Sequence, residues 1–177
     1  PTTSMGSIPV DDGWMALAVC LLFDAASDLR VRELWSRLED AGIATLATHT
    51  HRRHHPHLSY AVLRSWNLPP LRETLGRLPR VDPFSVTVHG TVVFPRGRAA
   101  LAPSITPELG LRQSAAVTAL GTLGADLHRH YRAGQWIPHI SIATRANGEQ
   151  LSTVVRMIYD TVPLVIRIET AALVDTG

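Results

Sequence analysis

Short continuous apolar runs alternate along this chain with stripes of apolar residues at helical spacing. The run 15–23 (MALAVCLLF) has the length and composition of a buried strand. A helical stripe follows, with Asp24 or Ser27 as N-terminal cap and Gly42 as the stop. The pattern then repeats. It predicts strands over 43–48, 57–63, 84–89, 91–94, 98–102, 137–143 and 164–174, and helices over 71–78, from Pro107 onward and over 149–159.

Two of these predictions concern where elements end. The strands 84–89 and 91–94 predict a hairpin that turns near Gly90, with His89 as a turn residue. The apolar stripe of the helix that begins near Pro107 extends to Leu127, which places His128 and His130 near the end of that helix. Interleaved helices and paired strands favour an α+β fold over a regular parallel sheet.

Length and composition are those of an ordinary globular protein. Of the 177 residues, 45% are hydrophobic and 18% are charged, and no low-complexity linker divides the chain. We therefore expect one domain over 1–177, with 1–12 as a flexible tail. No apolar run approaches the roughly 18 residues that a membrane span needs. The segment 1–10 lacks the basic and apolar regions of a signal peptide. We expect a cytoplasmic monomer without a membrane or protein partner.

Cysteine and lysine usage exclude several kinds of chemistry. The single cysteine, Cys20, lies in an apolar run, which excludes an intramolecular disulfide and predicts a buried side chain. All 17 basic residues are arginine, so a Schiff-base lysine and a Walker-type phosphate loop are excluded. The arginines match phosphate recognition, but GC-rich codon usage is the favoured explanation. The net charge of +2 is too small to indicate a surface that coats nucleic acid.

Two six-residue segments of the chain are nearly the same. Residues 56–61 read PHLSYA and residues 138–143 read PHISIA, with four identical positions and one exchange of leucine for isoleucine. Nearly half of the chain separates the two copies. This arrangement indicates an internal duplication.

The spacing within each copy has a direct structural meaning. Residues two apart in a strand point to the same face, so His57 shares a face with Ser59, and His139 with Ser141. If a pseudo-twofold axis brings the two strands together, two imidazoles and two hydroxyls surround one cavity. One imidazole can accept a proton while the other donates one, and the hydroxyls can donate hydrogen bonds to phosphate oxygens. The sequence therefore predicts phosphodiester chemistry without a metal or other cofactor.

The paired Pro-His-aliphatic-Ser strands resemble the His-x-Thr/Ser motifs of the two-histidine phosphoesterase superfamily. The closest branch is that of the bacterial 2'-5' RNA ligase-like proteins and cyclic phosphodiesterases. The resemblance extends over 15–174 in element order, although only the two motifs are sharp. It implies a bilobal α+β fold with pseudo-twofold symmetry, in which two antiparallel sheets flank a groove and helices lie outside. It also implies that the protein opens 2',3'-cyclic phosphates to 2'-phosphates, or reversibly ligates 2'-5' RNA linkages. Serine replaces the more usual threonine at both motif positions and keeps the hydroxyl.

A metal site is the rival interpretation of the histidine-rich segment 49–57. His51 and His55 are four residues apart, as in a helical metal site, but Pro56 disfavours a helix and the segment lacks Asp, Glu and Cys. We therefore predict a solvated loop at the groove rim. Further candidates for contact with the substrate are the arginines and aromatic residues in or near the motif segments, namely Arg53, Arg64, Trp66, Tyr131, Trp136 and Arg145.

Two classes of function remain open at this stage. The first is an enzyme that acts on a cyclic or 2'-5' phosphodiester of RNA or a nucleotide. The second is an RNA- or nucleotide-binding module on the same scaffold, with weak or no turnover. Two intact His-x-Ser motifs favour the enzyme, because binding alone has no chemical need for both histidines.

Overall fold

The computed structural model describes residues 16–50, 52–79 and 82–175, so the expected tail 1–12 lies outside the described residues. Seven strands and four helices form in these parts of the chain, and the α+β class is confirmed. In chain order they are β1 (Leu17–Phe23), α1 (Ala25–Asp40), β2 (His57–Ser65), α2 (Leu68–Gly76), β3 (Phe84–Phe94), β4 (Arg98–Pro103), α3 (Pro107–Thr122), β5 (Asp126–Leu127), β6 (Ile140–Ala143), α4 (Gly148–Tyr159) and β7 (Leu164–Asp175).

The strands form one antiparallel sheet in the order β5-β2-β1-β7-β3-β4-β6, rather than the two sheets expected from the resemblance. The reason is the length of β7. Its first part, from Leu164 to Ile168, pairs with β3, and the part from Ile168 to Asp175 pairs with β1. A strand of twelve residues can serve both halves of the chain, so the halves are joined by hydrogen bonds rather than separated.

The two motif strands meet although four strands lie between them in the sheet. Strand β2 contacts β6, and helix α1 contacts both β1 and β6. The sheet must therefore curve strongly, because sheet neighbours are about 4.8 Å apart and a flat sheet would keep β2 and β6 well separated. Curvature brings the two His-x-Ser segments together.

Several elements agree with the sequence pattern because their signals are local. Asp24 caps α1, and its side chain accepts a hydrogen bond from the Ser27 amide at 2.8 Å. One face of α1 buries apolar residues, including Leu34 and Trp35, against the core. Cys20 is buried in β1, as expected. None of the helices in the described parts is both long enough and apolar enough to cross a membrane.

Three predictions of element boundaries were wrong. The segment 43–48 is not a strand, and only Ala44 forms a β-bridge, with Arg145. The hairpin turn does not lie at Gly90: β3 continues through it with a register shift between Val88 and Gly90, and His89 lies inside the strand. The chain turns instead between Phe94 and Arg98.

The third wrong boundary is the end of α3. This helix ends at Thr122, where Gly124 adopts a positive φ of 65° and the chain leaves the helical path. Leu127 then belongs to β5 rather than to the helix, and His128 and His130 lie at the single helical turn Arg129–Tyr131. The two histidines therefore do not stand at a helix C-terminus.

Candidate active site

Strand β2 carries the first motif and is irregular at the position that follows the motif serine. Val19 of β1 pairs with Ala61, whereas the next residue, Cys20, pairs with Ser59. Tyr60 is therefore an extra residue, as in a β-bulge. Such bulges increase the local twist and redirect side chains, and they are frequent next to active sites.

Strand β6 carries the second motif and has the same irregularity. Ala99 of β4 pairs with Ala143, and Ala100 pairs with Ser141, which leaves Ile142 as the extra residue. Both copies of the motif thus have one additional residue directly after the serine. The duplication seen in the sequence extends to backbone geometry.

Both motif histidines are anchored in the same way. His57 Nδ1 lies 2.7 Å from the carbonyl oxygen of His55, and His139 Nδ1 lies 2.8 Å from that of Ile137. A carbonyl oxygen can only accept, so each Nδ1 carries the hydrogen and donates it. Each imidazole therefore leaves Nε2 for a ligand, where the neutral ring has a lone pair and the protonated ring an N–H. The start of the predicted strand 137–143 was wrong, since β6 begins at residue 140 and His139 lies just before it.

The two imidazoles are close enough to affect each other's charge. Burial lowers the pKa of His57 below its usual value of 6.5, and the neighbouring charges of His139 and His55 lower it further, although the bond to the His55 carbonyl opposes this. Burial also lowers the pKa of His139, as does the charge of His130. Strands β2 and β6 contact each other, and the charge of His139 acts on His57, so positive charges on both imidazoles at once are disfavoured.

The two motif serines differ. Ser59 is buried, and its Oγ lies 3.5 Å from Cys20 Sγ. Its hydroxyl also interacts with the Tyr131 phenol. Burial raises the pKa of Tyr131, and the interaction with Ser59 acts in the opposite direction. Ser141 is half-exposed, and no group among the described residues hydrogen-bonds its hydroxyl. The Ser141 hydroxyl is therefore available to a ligand without breaking a bond inside the protein.

Aromatic side chains surround His139. The ring of Phe94 lies 4.9 Å from the imidazole, and that of Tyr131 lies 6.4 Å from it, centroid to centroid. Arg98 follows the same turn as Phe94, and its positive charge acts on the Tyr131 phenol. Of these three residues the sequence indicated only Tyr131. No local pattern marks Phe94 or Arg98, because both reach the site through the pairing of β3 with β4 and of β4 with β6.

A family model described as the 2'-5' RNA ligase superfamily matches residues 24–177 of the chain. The chain belongs to the 2'-5' RNA ligase superfamily. The match spans both His-x-Ser motifs, and the resemblance to two-histidine phosphoesterases is confirmed. A comparison with curated proteins finds no match.

Solved structures similar to this superfamily member share its fold at low sequence identity. The crystal structure of the MHV ns2 PDE domain has a TM-score of 0.54 and 13% identity, covering 90% of this chain and 99% of that one. The structure of Kluyveromyces marxianus Usb1 with uridine monophosphate has a TM-score of 0.50 and 12% identity, covering 90% and 97%. At these identities the likeness shows the fold alone.

The other residues that the sequence of this superfamily member indicated as substrate contacts lie far apart in the structure. Trp66 follows the far end of β2, about 30 Å along the strand from His57 at roughly 3.3 Å per residue. It packs against the core there and lies too far away to stack a base between the motif histidines. Arg64 is also near this end, 3.8 Å from Asp126. Trp136 lies at the site, where its indole bonds to β2, and Arg53 and Arg145 are exposed on the flanking loops.

The histidine-rich loop is more structured than the sequence suggested. His54 is buried rather than solvated, its Nε2 lies 2.7 Å from Thr50 Oγ1, and its ring lies 5.8 Å from that of His49. His55 is exposed and accepts a hydrogen bond from Arg32. Within the described residues no group of three or more His, Cys, Asp or Glu side chains is placed to hold a metal ion, and His51 lies outside them.

Proposed function

We propose that this protein is a metal-independent phosphodiesterase that opens 2',3'-cyclic phosphate ends of RNA or nucleotides to 2'-phosphates. Ligation to a 2'-5' RNA linkage uses the same groups, with the 5'-hydroxyl of a second RNA end in place of water as the nucleophile and O3' again as the leaving group, and it is reversible. The observation that carries the proposal is the repeated anchoring of both motif histidines through Nδ1. This anchoring leaves the Nε2 atom of each ring for a substrate, and the charge of His139 acts on His57.

In the proposed reaction a water oxygen attacks the phosphorus and the bond from phosphorus to O3' breaks. The water proton passes to Nε2 of one motif histidine, and Nε2–H of the other protonates O3' as it leaves. The family resemblance and the geometry leave open which of His57 and His139 is the base, since both are anchored alike. The Ser141 hydroxyl can donate to a non-bridging phosphate oxygen, where charge increases in the transition state.

Burial of the two histidines supports acid–base chemistry rather than a purely structural role. The Nδ1 anchors fix the ring orientations, so little rearrangement is needed when a substrate binds. A bound phosphate carries negative charge, which favours protonation of one imidazole and compensates for the lowered pKa of the pair.

The test is a substrate panel assayed with EDTA present. It comprises 2',3'-cyclic mononucleotides, oligoribonucleotides with a cyclic end and 2'-5' dinucleotides, with product analysis to distinguish 2'- from 3'-phosphates. We expect 2'-phosphate products that disappear in His57→Ala and His139→Ala. Binding of the same nucleotides without turnover by the wild type would establish instead an RNA- or nucleotide-binding module. Turnover that EDTA abolishes and zinc or manganese restores would refute the metal-independent mechanism.

A further inference from the structure

The two ends of the proposed site differ in charge, although the motifs are duplicated. At the His57 end Arg32 forms an ion pair with Asp28 and donates to His55 Nδ1 at 3.1 Å. The carboxylate compensates the guanidinium there. Arg32, the arginine that contacts the residue next to the first motif, is therefore already paired within the protein.

At the His139 end positive groups accumulate with little compensation. The segment 128–130 reads His-Arg-His, and the two histidine rings lie 4.9 Å apart. Arg98 and Arg129 have no carboxylate within 4.0 Å among the described residues. Asp126 is the nearby acid, and it is already shared by Arg64 at 3.8 Å and Arg132 at 4.0 Å. We call His128, Arg129, His130 and Arg98 the β5 cluster.

One buried polar atom of the β5 cluster lacks a partner. His128 Nδ1 is buried and has no hydrogen-bond partner among the residues that the structure describes, whereas buried polar atoms are normally bonded. Burial lowers the pKa of His128, and the charges of His130, Arg129, Arg64 and Arg98 lower it further. An anion at this place would supply the missing negative charge.

The β5 cluster is continuous with the proposed site along β2. The amide of His128 donates to the Val62 carbonyl at 2.8 Å, and Tyr131 reaches back to Ser59 and His139. The cluster therefore lies beside β2, further from His57 than the motif serine. An RNA strand that extends from the two histidines in this direction passes Arg98 and Arg129.

We propose that the β5 cluster binds a second phosphate of the substrate, so that the substrate is an oligoribonucleotide rather than a cyclic mononucleotide. This inference rests on the proposed function. The phosphate concerned is the one on the 5' side of the terminal nucleoside, since the cyclic phosphate occupies the 3' end. The planar guanidinium groups of Arg98 and Arg129 match the oxygen geometry of a phosphodiester.

The kinetic test compares uridine 2',3'-cyclic phosphate with a uridine dinucleotide that carries the same cyclic end. In the wild type we expect kcat/KM to be at least about tenfold higher for the dinucleotide, the size of a charge-assisted contact. Arg98→Gln and Arg129→Gln should each lower the ratio of the two kcat/KM values about fivefold or more. Arg72→Gln, an exposed arginine of α2, makes the same change of charge and should leave both values unchanged.

A binding measurement decides the inference independently of turnover. Fluorescence anisotropy of a labelled oligoribonucleotide that ends in a 2'-phosphate is followed at several salt concentrations. Loss of one phosphate contact should weaken binding and reduce the slope of log K against log salt by about 0.7 in Arg129→Gln, but not in Arg72→Gln. Equal slopes and affinities in wild type and both arginine variants would overturn the inference.

The two hypotheses fail in distinguishable ways. Equal kcat/KM values for mononucleotide and dinucleotide, unchanged in ratio by Arg98→Gln and Arg129→Gln, would overturn the β5 cluster as a subsite and leave the phosphodiesterase standing. No turnover of either substrate by the wild type would overturn the proposed function. The salt dependence of binding would then still support or overturn the second phosphate site.

Discussion

The indole N–H of Trp136 donates a hydrogen bond to the main-chain carbonyl of Ser59, 3.1 Å away. The same relationship exists in the other direction, where the indole of Trp35 donates to the Ser141 carbonyl, also at 3.1 Å. Each motif serine is thus held by a tryptophan from the opposite half of the chain. One bond joins the segment before β6 to β2, and the other joins α1 to β6, so both motif strands are held at their serines by the other half of the chain.

The first prediction concerns this link. Trp136→Phe keeps an aromatic ring in the core but removes the donor to the Ser59 carbonyl. Strand β5 pairs with β2 only from Leu63 onward, so it cannot replace that donor. We expect a loss of about 1–3 kcal/mol in the free energy of unfolding, measured by urea denaturation, and a fall in kcat larger than the change in KM.

Trp66→Phe is the matched control for Trp136→Phe. Trp66 also packs against the core, but among the described residues its indole N–H has no hydrogen-bond partner in the protein. It should lose stability only through its smaller ring and should keep its kcat. Equal effects of both substitutions on kcat would contradict a positioning role for the Trp136 bond.

The second prediction separates the four motif side chains. His57→Ala and His139→Ala should each reduce kcat by about 10²-fold to 10⁴-fold, the range for loss of a general acid or base. Ser141→Ala should cost about 1.5–4 kcal/mol of transition-state stabilisation and leave the free energy of unfolding within about 0.5 kcal/mol of wild type, because its hydroxyl is half-exposed.

Ser59→Ala should behave differently from Ser141→Ala. Its hydroxyl is buried against Cys20 and Tyr131, so its removal should also lower the free energy of unfolding by about 1 kcal/mol. Thermal unfolding and steady-state kinetics on the same preparations check this difference. Equal stability of the two serine variants would mean that the buried contacts of Ser59 are without consequence. His54→Ala is unsuitable as a control, because that side chain is buried as well.

The third prediction is the pH dependence of kcat/KM. Burial lowers the pKa of both His57 and His139 below 6.5, so the bell-shaped profile should have both apparent pKa values below 6.5. Activity should rise from acid pH as the base loses its proton, and should decline toward pH 8 as the acid loses its own. In the kcat profile the basic limb should move to higher pH, because the bound phosphate stabilises the imidazolium. A basic limb of kcat/KM with an apparent pKa above 6.5 would contradict the lowered values.

The fourth prediction concerns the turn that precedes Arg98. Gly97 has a φ of 70°, and a Cβ at this position would lie 2.1 Å from the main-chain oxygen of Ala146. Gly97→Ala should therefore destabilise the protein by at least about 1–3 kcal/mol, which lowers Tm by several degrees in a calorimetric scan. Gly90→Ala is the control, since nothing lies within 4 Å of its added Cβ. A Tm of Gly97→Ala equal to that of Gly90→Ala would exclude this steric conflict.

The sequence by itself determined the features that depend on local periodicity. Alternation in PHLSYA and PHISIA predicted two related segments with His and Ser on one face, and their duplication indicated one shared site. The cap and the apolar stripe likewise predicted α1, and helix α4 lies close to the predicted range 149–159, because capping and amphipathic spacing act within a few residues. The resemblance to a family followed from the same two segments.

Only the tertiary structure decided what depends on the pairing of distant strands. The placement of Arg98 and Phe94 beside the second motif follows from the registers of β3 with β4 and of β4 with β6, and the bond from Trp136 to Ser59 follows from the curvature of the sheet. The single sheet itself results from the two partners of β7. Strand register and sheet curvature arise from the packing of the whole chain, so no pattern along a short segment encodes them.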